Sequence, residues 1–189
     1  MKVKYGLRNV YYAKATLDLE TNKYTYGTPK KLPGARNLTL SPNGESSDFY
    51  ADDVVYFADT ANQGYEGDFE LAVVPADFLV DILGQEKDSN GALIENADAV
   101  ASPFALGFEV QGDKKGRRTW LFNCTAARPN QDAATQETSK TPTTETLSIK
   151  VLPRITDKAV KATLELTDEN TSAFNSFFTS VYERTTTSV

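Results

Sequence analysis

The sequence lacks several residues on which common protein functions depend. Among its 189 residues there is no histidine and a single cysteine, Cys124. The absence of histidine excludes histidine-dependent triads, histidine zinc sites and histidine pH switches, and one cysteine cannot form a disulfide within the chain. No apolar run approaches the roughly 20 residues that span a bilayer, and the first residues lack the apolar segment of a signal peptide. We therefore expect a soluble protein made in the cytoplasm.

The overall composition is that of an ordinary globular protein, with 40% hydrophobic, 11% aromatic and 24% charged residues. A chain of this length buries roughly 70% of its unfolded surface, so it needs no metal or disulfide to fold. We expect one domain over residues 1–189, with a long loop or hairpin at about 41–63 and an irregular segment at about 128–146.

Basic residues are scarce in the middle of the chain. Residues 1–40 carry a net charge of +6, residues 41–113 carry −15 with Lys87 as their one basic residue, and residues 114–189 carry +3, which gives −6 in total. The acidic block is either a solvated face, or a surface that the basic ends of the same chain cover, or a contact with the basic ends of another copy.

Most apolar residues recur with the period of two that is typical of strands. We predict a hairpin from strands 10–19 and 23–32, and further strands at 35–40, 66–74, 104–111, 119–127, 147–152 and 159–166. Helical spacing predicts a short helix over 76–83, ended by Gly84, and a last helix capped by Asp168 or Asn170 with an apolar stripe of Phe174, Phe177, Phe178 and Val181. This order predicts a mainly β fold, a sandwich or barrel with a short flanking helix and a C-terminal helix.

Two strands have faces that can be assigned from alternation. Glu66, Asp68 and Glu70 point one way, and we expect Phe69, Leu71 and Val73 to point the other way until Pro75 ends the strand. Trp120, Phe122 and Cys124 are expected to share one apolar face. That setting favours a buried structural cysteine over a reactive one.

The candidate chemical sites are weak. Carboxylates two apart on a strand are about 6.6–6.8 Å apart, which suits an inverting glycosidase, but one uniform row does not separate their pKa values. The aspartates at 48, 52, 53 and 59 lack the glycine spacing of a calcium loop. The basic run at 114–118 lacks a phosphate cradle and resembles a hairpin tip. We therefore expect no catalytic residue, no metal and no cofactor.

Several stretches of the sequence are informative when taken together and in order. They are 3–10 (VKYGLRNV), 26–29 (YGTP), 32–35 (LPGA), 49–56 (FYADDVVY), 62–71 (NQGYEGDFEL), 127–129 (ARP) and 144–147 (TETL). In this order they resemble the major tail protein, or tail tube subunit, of long-tailed non-contractile phages of Gram-positive hosts. The resemblance runs nearly from end to end, and the stretches around 49–56 and 64–71 are the most specific. The alternative is a phage-associated β-sandwich module that binds glycans through aromatic pairs such as Tyr11–Tyr12 or Tyr56–Phe57.

The resemblance implies a structural protein of the virion tail that assembles with itself into stacked hexameric rings. The tube would conduct phage DNA without binding it specifically, and it would contact the tail tip, tape-measure and tail terminator proteins but no membrane. The residues expected to line the lumen are Glu66, Asp68 and Glu70. The residues expected in contacts between rings are Asp48, Phe49, Tyr50, Asp52, Asp53 and Tyr56 on one side and Lys2, Lys4, Arg8, Lys30 and Lys31 on the other.

Overall fold

The computed structural model of the chain describes residues 4–44, 46–51, 53–112, 116–131 and 143–185. These ranges contain two helices, α1 (Ala76–Asp81) and α2 (Thr171–Ser176), and thirteen strands. The strands are β1 (Lys4–Asp18), β2 (Lys23–Tyr26), β3 (Lys30–Lys31), β4 (Ala35–Asn43), β5 (Ser46–Ala51), β6 (Val54–Thr60), β7 (Gly64–Leu71), β8 (Glu86–Lys87), β9 (Leu93–Ile94), β10 (Phe104–Gly112), β11 (Arg117–Ala126), β12 (Glu145–Val151) and β13 (Lys161–Glu165). The predicted mainly β class is confirmed.

Nine strands form one antiparallel sheet in the order β2-β1-β10-β11-β12-β7-β4, with β13 paired to β11 and β3 paired to β1. The predicted first hairpin is present as β1 and β2, whose turn is held by the Asp18 carboxylate, which accepts from the Glu20 and Thr21 amides. The second strand ends at Tyr26 rather than at 32, because the chain is interrupted before Lys30 by Pro29, which has no amide hydrogen to pair.

The large sheet curls around one hydrophobic core. Strands β1, β10, β11, β12 and β7 all place buried side chains in it, and β4, at one end of the path, comes within 8 Å of β1 between Cα atoms. Helix α1 fills one end of this core with Phe78, whose ring meets Tyr12 and Phe104 edge-on at centroid distances of 5.0 and 5.3 Å. The fold therefore lies between a sandwich and an open barrel with a flanking helix.

A second hydrophobic cluster lies on the outer side of β1, β10 and β11. Its centre is Trp120, whose indole nitrogen donates to the Phe177 carbonyl at 2.7 Å. We call residues 171–185 the C-terminal segment; its Phe174, Phe177 and Val181 are buried, and Phe178 stacks on Tyr11 with a centroid distance of 4.9 Å. The segment thus covers this side of the sheet.

The expectation that Cys124 shares a face with Trp120 and Phe122 is wrong. Leu121 and Cys124 both point into the inner core, whereas Trp120 and Phe122 point outward. The cause is a β-bulge, since Phe104 pairs with Cys124 but Leu106 pairs with Leu121, which leaves one extra residue on β11. Cys124 is fully buried, and this burial raises the pKa of its thiol, as expected of a structural cysteine.

Several predicted element bounds need correction. Strand β1 begins at Lys4 rather than at 10, and β4 continues to Asn43 instead of ending at 40. Strand β7 ends at Leu71, so Val73 does not continue the inward face and is 64% exposed. Helix α1 ends at Asp81 rather than at 83. Helix α2 begins after Asn170, as predicted, but ends at Ser176, so the aromatic stripe continues beyond the helix into the rest of the C-terminal segment.

The structure describes most of the predicted long loop or hairpin at 41–63 but only part of the predicted irregular segment at 128–146. Most of 41–63 is a hairpin of β5 and β6. The segment 128–146 overlaps residues 132–142, which lie outside the described residues, and its end belongs to β12. A small hairpin of β8 and β9, in the connection between α1 and β10, was not predicted from sequence.

Candidate assembly site

The acidic row on β7 has the alternation that the sequence predicts. Glu66 and Asp68 are exposed and Glu70 is half-buried, while Phe69 and Leu71 are almost completely buried in the core. The carboxylates therefore project from the outer side of the sheet, and the apolar residues between them hold the strand in place.

The neighbouring strands extend this row into a polar surface, which we call the β7 face. Opposite Glu70, Asp68 and Glu66 lie Asn37, Thr39 and Ser41 on β4 and Thr146, Ser148 and Lys150 on β12. The Ser148 hydroxyl donates to Asp68 at 2.9 Å, and Glu70 accepts from Thr144 at 2.6 Å and pairs with Arg36 at 2.9 Å. Arg36 and Lys150 partly offset the three carboxylates, so the β7 face is polar and weakly acidic.

The hairpin of β5 and β6 leaves the large sheet between the end of β4 and the start of β7. It forms a separate two-stranded sheet with pairs from Ser46–Thr60 to Ala51–Val54, and it is roughly 20 Å long. At the base of the hairpin, two glycines allow neighbouring backbone segments to pack closely. A Cβ on Gly44 would lie 1.8 Å from the Ala61 carbonyl oxygen, and a Cβ on Gly64 would lie 1.8 Å from the Val151 carbonyl oxygen.

This hairpin carries the acidic and aromatic residues that were predicted for contacts between rings. Asp48, Phe49 and Tyr50 are on β5 and Tyr56 is on β6, while Asp52 lies outside the described residues. Asp53 forms the turn with a positive φ of 61°, and both it and Val54 are exposed. Among the described residues of the tip, Asp53 presents a carboxylate and Val54 an apolar side chain to solvent.

The predicted basic partners are spread over the molecule. Lys30 donates to Asp81 of α1 at 2.6 Å, and this hydrogen bond raises the pKa of Lys30. Lys31 is its exposed neighbour on β3. Lys4 starts β1 opposite Gly112, and Lys2 lies outside the described residues.

The hairpin and the lysine pair lie at opposite ends of β7. The hairpin joins β7 at Gly64, whereas β7 ends at Leu71 and leads into α1, which contacts Lys30. The two ends of this eight-residue strand are roughly 23 Å apart. The hairpin and the lysine pair therefore place charges of opposite sign at the two ends of β7.

Arg8, whose side chain is half-exposed, belongs to an ionic cluster around the buried Glu109, and this cluster was not predicted from the sequence. Its guanidinium donates to Glu109 at 2.6 Å, and Asn9 and Arg118 each donate to the same carboxylate at 3.1 Å. Burial alone would raise the pKa of Glu109, but these hydrogen bonds outweigh it and hold that pKa below its usual value. Glu109 is 2% exposed. A single carboxylate inside the apolar run of β10 was the one sequence signal for this cluster.

The described residues contain no group of three His, Cys, Asp or Glu side chains arranged to hold a metal ion. Among the helices that the structure describes, none is long and apolar enough to cross a membrane.

The family model described as phage tail tube protein matches residues 1–172. The chain belongs to this family, and it is accordingly a structural protein of the phage tail. No curated protein sequence matches the chain. The matched range includes the β7 face, the hairpin and the lysine pair, and it ends at the start of the C-terminal segment.

Proposed function

We propose that this chain is a single-domain subunit that assembles with itself into stacked hexameric rings, which form the tail tube and conduct DNA into the host. The observation that carries this proposal is the location of the acidic hairpin tip and the lysine pair at opposite ends of β7. When a subunit with two complementary ends joins a growing stack, it leaves one free end of each type exposed. A heterologous contact of this kind therefore produces an open assembly that can keep growing.

Lateral contacts within a ring require free strand edges. Strand β4 pairs with β7 on one side, and on its other side no strand pairs with it among the described residues. An unpaired edge nine residues long is a template for pairing with another chain. In our proposal a neighbouring copy pairs there, which closes the sheets of successive subunits around the bore.

The proposed lumen surface is the β7 face. Duplex DNA carries a phosphate about every 1.7 Å along its axis and adheres to basic surfaces through counterion release. A polar, weakly acidic wall does not retain it. Glu66, Asp68 and Glu70 therefore serve the conduit by repelling phosphates and keeping the surface hydrated.

The hairpin contact is tested by a charge exchange between the two ends. We expect Asp53→Lys to raise the protein concentration needed for tube growth at least tenfold, whereas Asp53→Asn, which also tolerates the positive φ, has a smaller effect. Adding Lys31→Glu to the Asp53→Lys variant restores growth. The measurement is electron microscopy and sedimentation of the purified protein over a concentration series.

Three results would contradict the proposal. Tubes that grow equally well with Asp53→Lys would exclude the hairpin tip as a contact. A double variant that fails to recover would exclude Lys31 as its partner. Compact particles that bind glycans and never form rings or tubes would favour the glycan-binding alternative.

A further inference from the structure

The inner core is sealed at one end and half-open at the other. Phe78 of helix α1 and Ile82, which follows the helix, fill the first end. At the other end a depression of about 250 Å³ is lined by apolar side chains that stay partly exposed. We call it the socket; its apolar lining consists of Leu40, Tyr65, Phe108 and Val110, with buried Leu121 at its floor.

The rim of the socket is basic. The Lys161 ammonium donates to the Tyr65 hydroxyl at 2.8 Å and lies 4.6 Å from the centre of that ring. Within the described residues no carboxylate oxygen lies within 4 Å of this ammonium, whereas Arg117, also on the rim, already pairs with Glu165. The socket is therefore an apolar depression beside the Lys161 ammonium, which has no carboxylate partner in the described chain.

The opposite end of the molecule carries a protruding group of matching chemistry. Val100, in the connection between β9 and β10, is 82% exposed, the highest value among the exposed large apolar residues of the described chain. Asp98, two residues earlier, is exposed as well. The connection is anchored to α1, since the Ser102 amide donates to the Ile82 carbonyl at 2.7 Å and the Val100 carbonyl lies against Gly84.

These two surfaces cannot meet within one chain. The socket includes Tyr65, the second residue of β7, and Val100 is held at α1, which follows the other end of that strand. The geometry points to a contact between copies: Val100 of one copy enters the socket of the next, and its Asp98 pairs with the Lys161 that borders the socket. This contact rests on the proposed head-to-tail stacking and adds to it a second, apolar connection beside the hairpin.

A pair of introduced cysteines tests the contact directly. The one native cysteine, Cys124, is buried, so Val100→Cys combined with Thr163→Cys, an exposed position lining the socket, adds the reactive thiols. Under oxidation of assembled protein we expect a ladder of covalent oligomers that thiol reductant removes. Each single-cysteine variant can form disulfide-linked dimers at most, because it has one accessible thiol. Assembled double variant that yields no more than dimers would overturn the contact.

Assembly measurements give a second test. We expect Val100→Asp to raise the concentration needed for tube growth at least tenfold, while Ile155→Asp, at an exposed apolar residue that does not line the socket, leaves it unchanged. Asp98→Lys weakens growth, and Asp98→Lys with Lys161→Glu restores it.

The outcomes separate the two proposals. Wild-type protein that assembles while Val100→Asp assembles equally well overturns the socket contact and leaves the hairpin contact standing. Wild-type protein that never assembles overturns the proposed function and the socket contact with it.

Discussion

The outer side of the sheet has two regions, of which one is buried within the subunit and the other is exposed to solvent. On β11, Trp120 and Phe122 are almost completely buried in a cluster that includes Phe177 of the C-terminal segment. On β7, Glu66 and Asp68 face solvent with no segment of the described chain packed over them. The apolar region is closed by the subunit itself, and the polar region stays available. A subunit built to assemble needs both, because an uncovered apolar face would associate without specificity.

Removing the C-terminal segment should have the largest effect, because it exposes the apolar region on β11. A chain ending at residue 172 loses the buried side chains of Phe174, Phe177 and Val181, each worth about 1.5–3 kcal/mol. We expect it to bind a hydrophobic dye strongly and to aggregate. A chain ending at residue 185 is the control and should behave like the wild type. A soluble, dye-negative truncation at 172 would show that the segment does not protect the β11 region.

Trp120→Ala tests the centre of the covered region. The indole is completely buried and donates to the Phe177 carbonyl, so its loss leaves a large cavity and an unpaired acceptor. We expect the free energy of unfolding to fall by about 3–5 kcal/mol in urea titrations. Trp120→Phe, which keeps most of the volume, should lose less. A change below about 1 kcal/mol for the alanine variant would mean that the cluster contributes little.

The Glu109 cluster stabilises the same region through ion pairs, since Arg118 donates both to Glu109 and to the Phe174 carbonyl of the C-terminal segment. Glu109→Gln leaves Arg8 and Arg118 without their carboxylate, and we expect a loss of about 3 kcal/mol at pH 7. Because the pKa of Glu109 is lowered in the folded protein, its stabilisation is present above the unfolded value of about 4.5 and is lost as the pH falls through the folded pKa. The wild type should therefore lose stability more steeply than the variant below pH 4.5. Parallel pH profiles would contradict this assignment.

Substitutions on the β7 face should have the smallest effect on stability. For Glu66→Gln with Asp68→Asn we expect a change below about 0.5 kcal/mol, since both carboxylates are exposed. Replacing Glu66, Asp68 and Glu70 by Lys should leave tubes assembling but slow the release of DNA. Unchanged ejection kinetics for assembled triple-lysine tails would count against the proposed role of the row.

The sequence predicted those features that depend on local periodicity. The alternation from Glu66 to Leu71 is readable because Phe69 and Leu71, on one side of β7, are buried in the core. The orientation of Cys124 could not be read from the sequence, because the bulge that turns this residue inward arises from the pairing between β10 and β11. The Glu109 cluster joins residues 101 positions apart, so no local pattern reports it. The C-terminal aromatic stripe was recognised, but its packing on Trp120 depends on the tertiary fold.

We propose that copies assemble head to tail around a bore lined by the β7 face. A cryo-electron microscopy reconstruction of tubes grown from the purified protein tests it most directly. We predict rings of six subunits, with Glu66 and Asp68 facing the bore and the C-terminal segment on the outside. Tubes with the C-terminal segment lining the bore, or with arginine and lysine side chains dominating its wall, would contradict the claim.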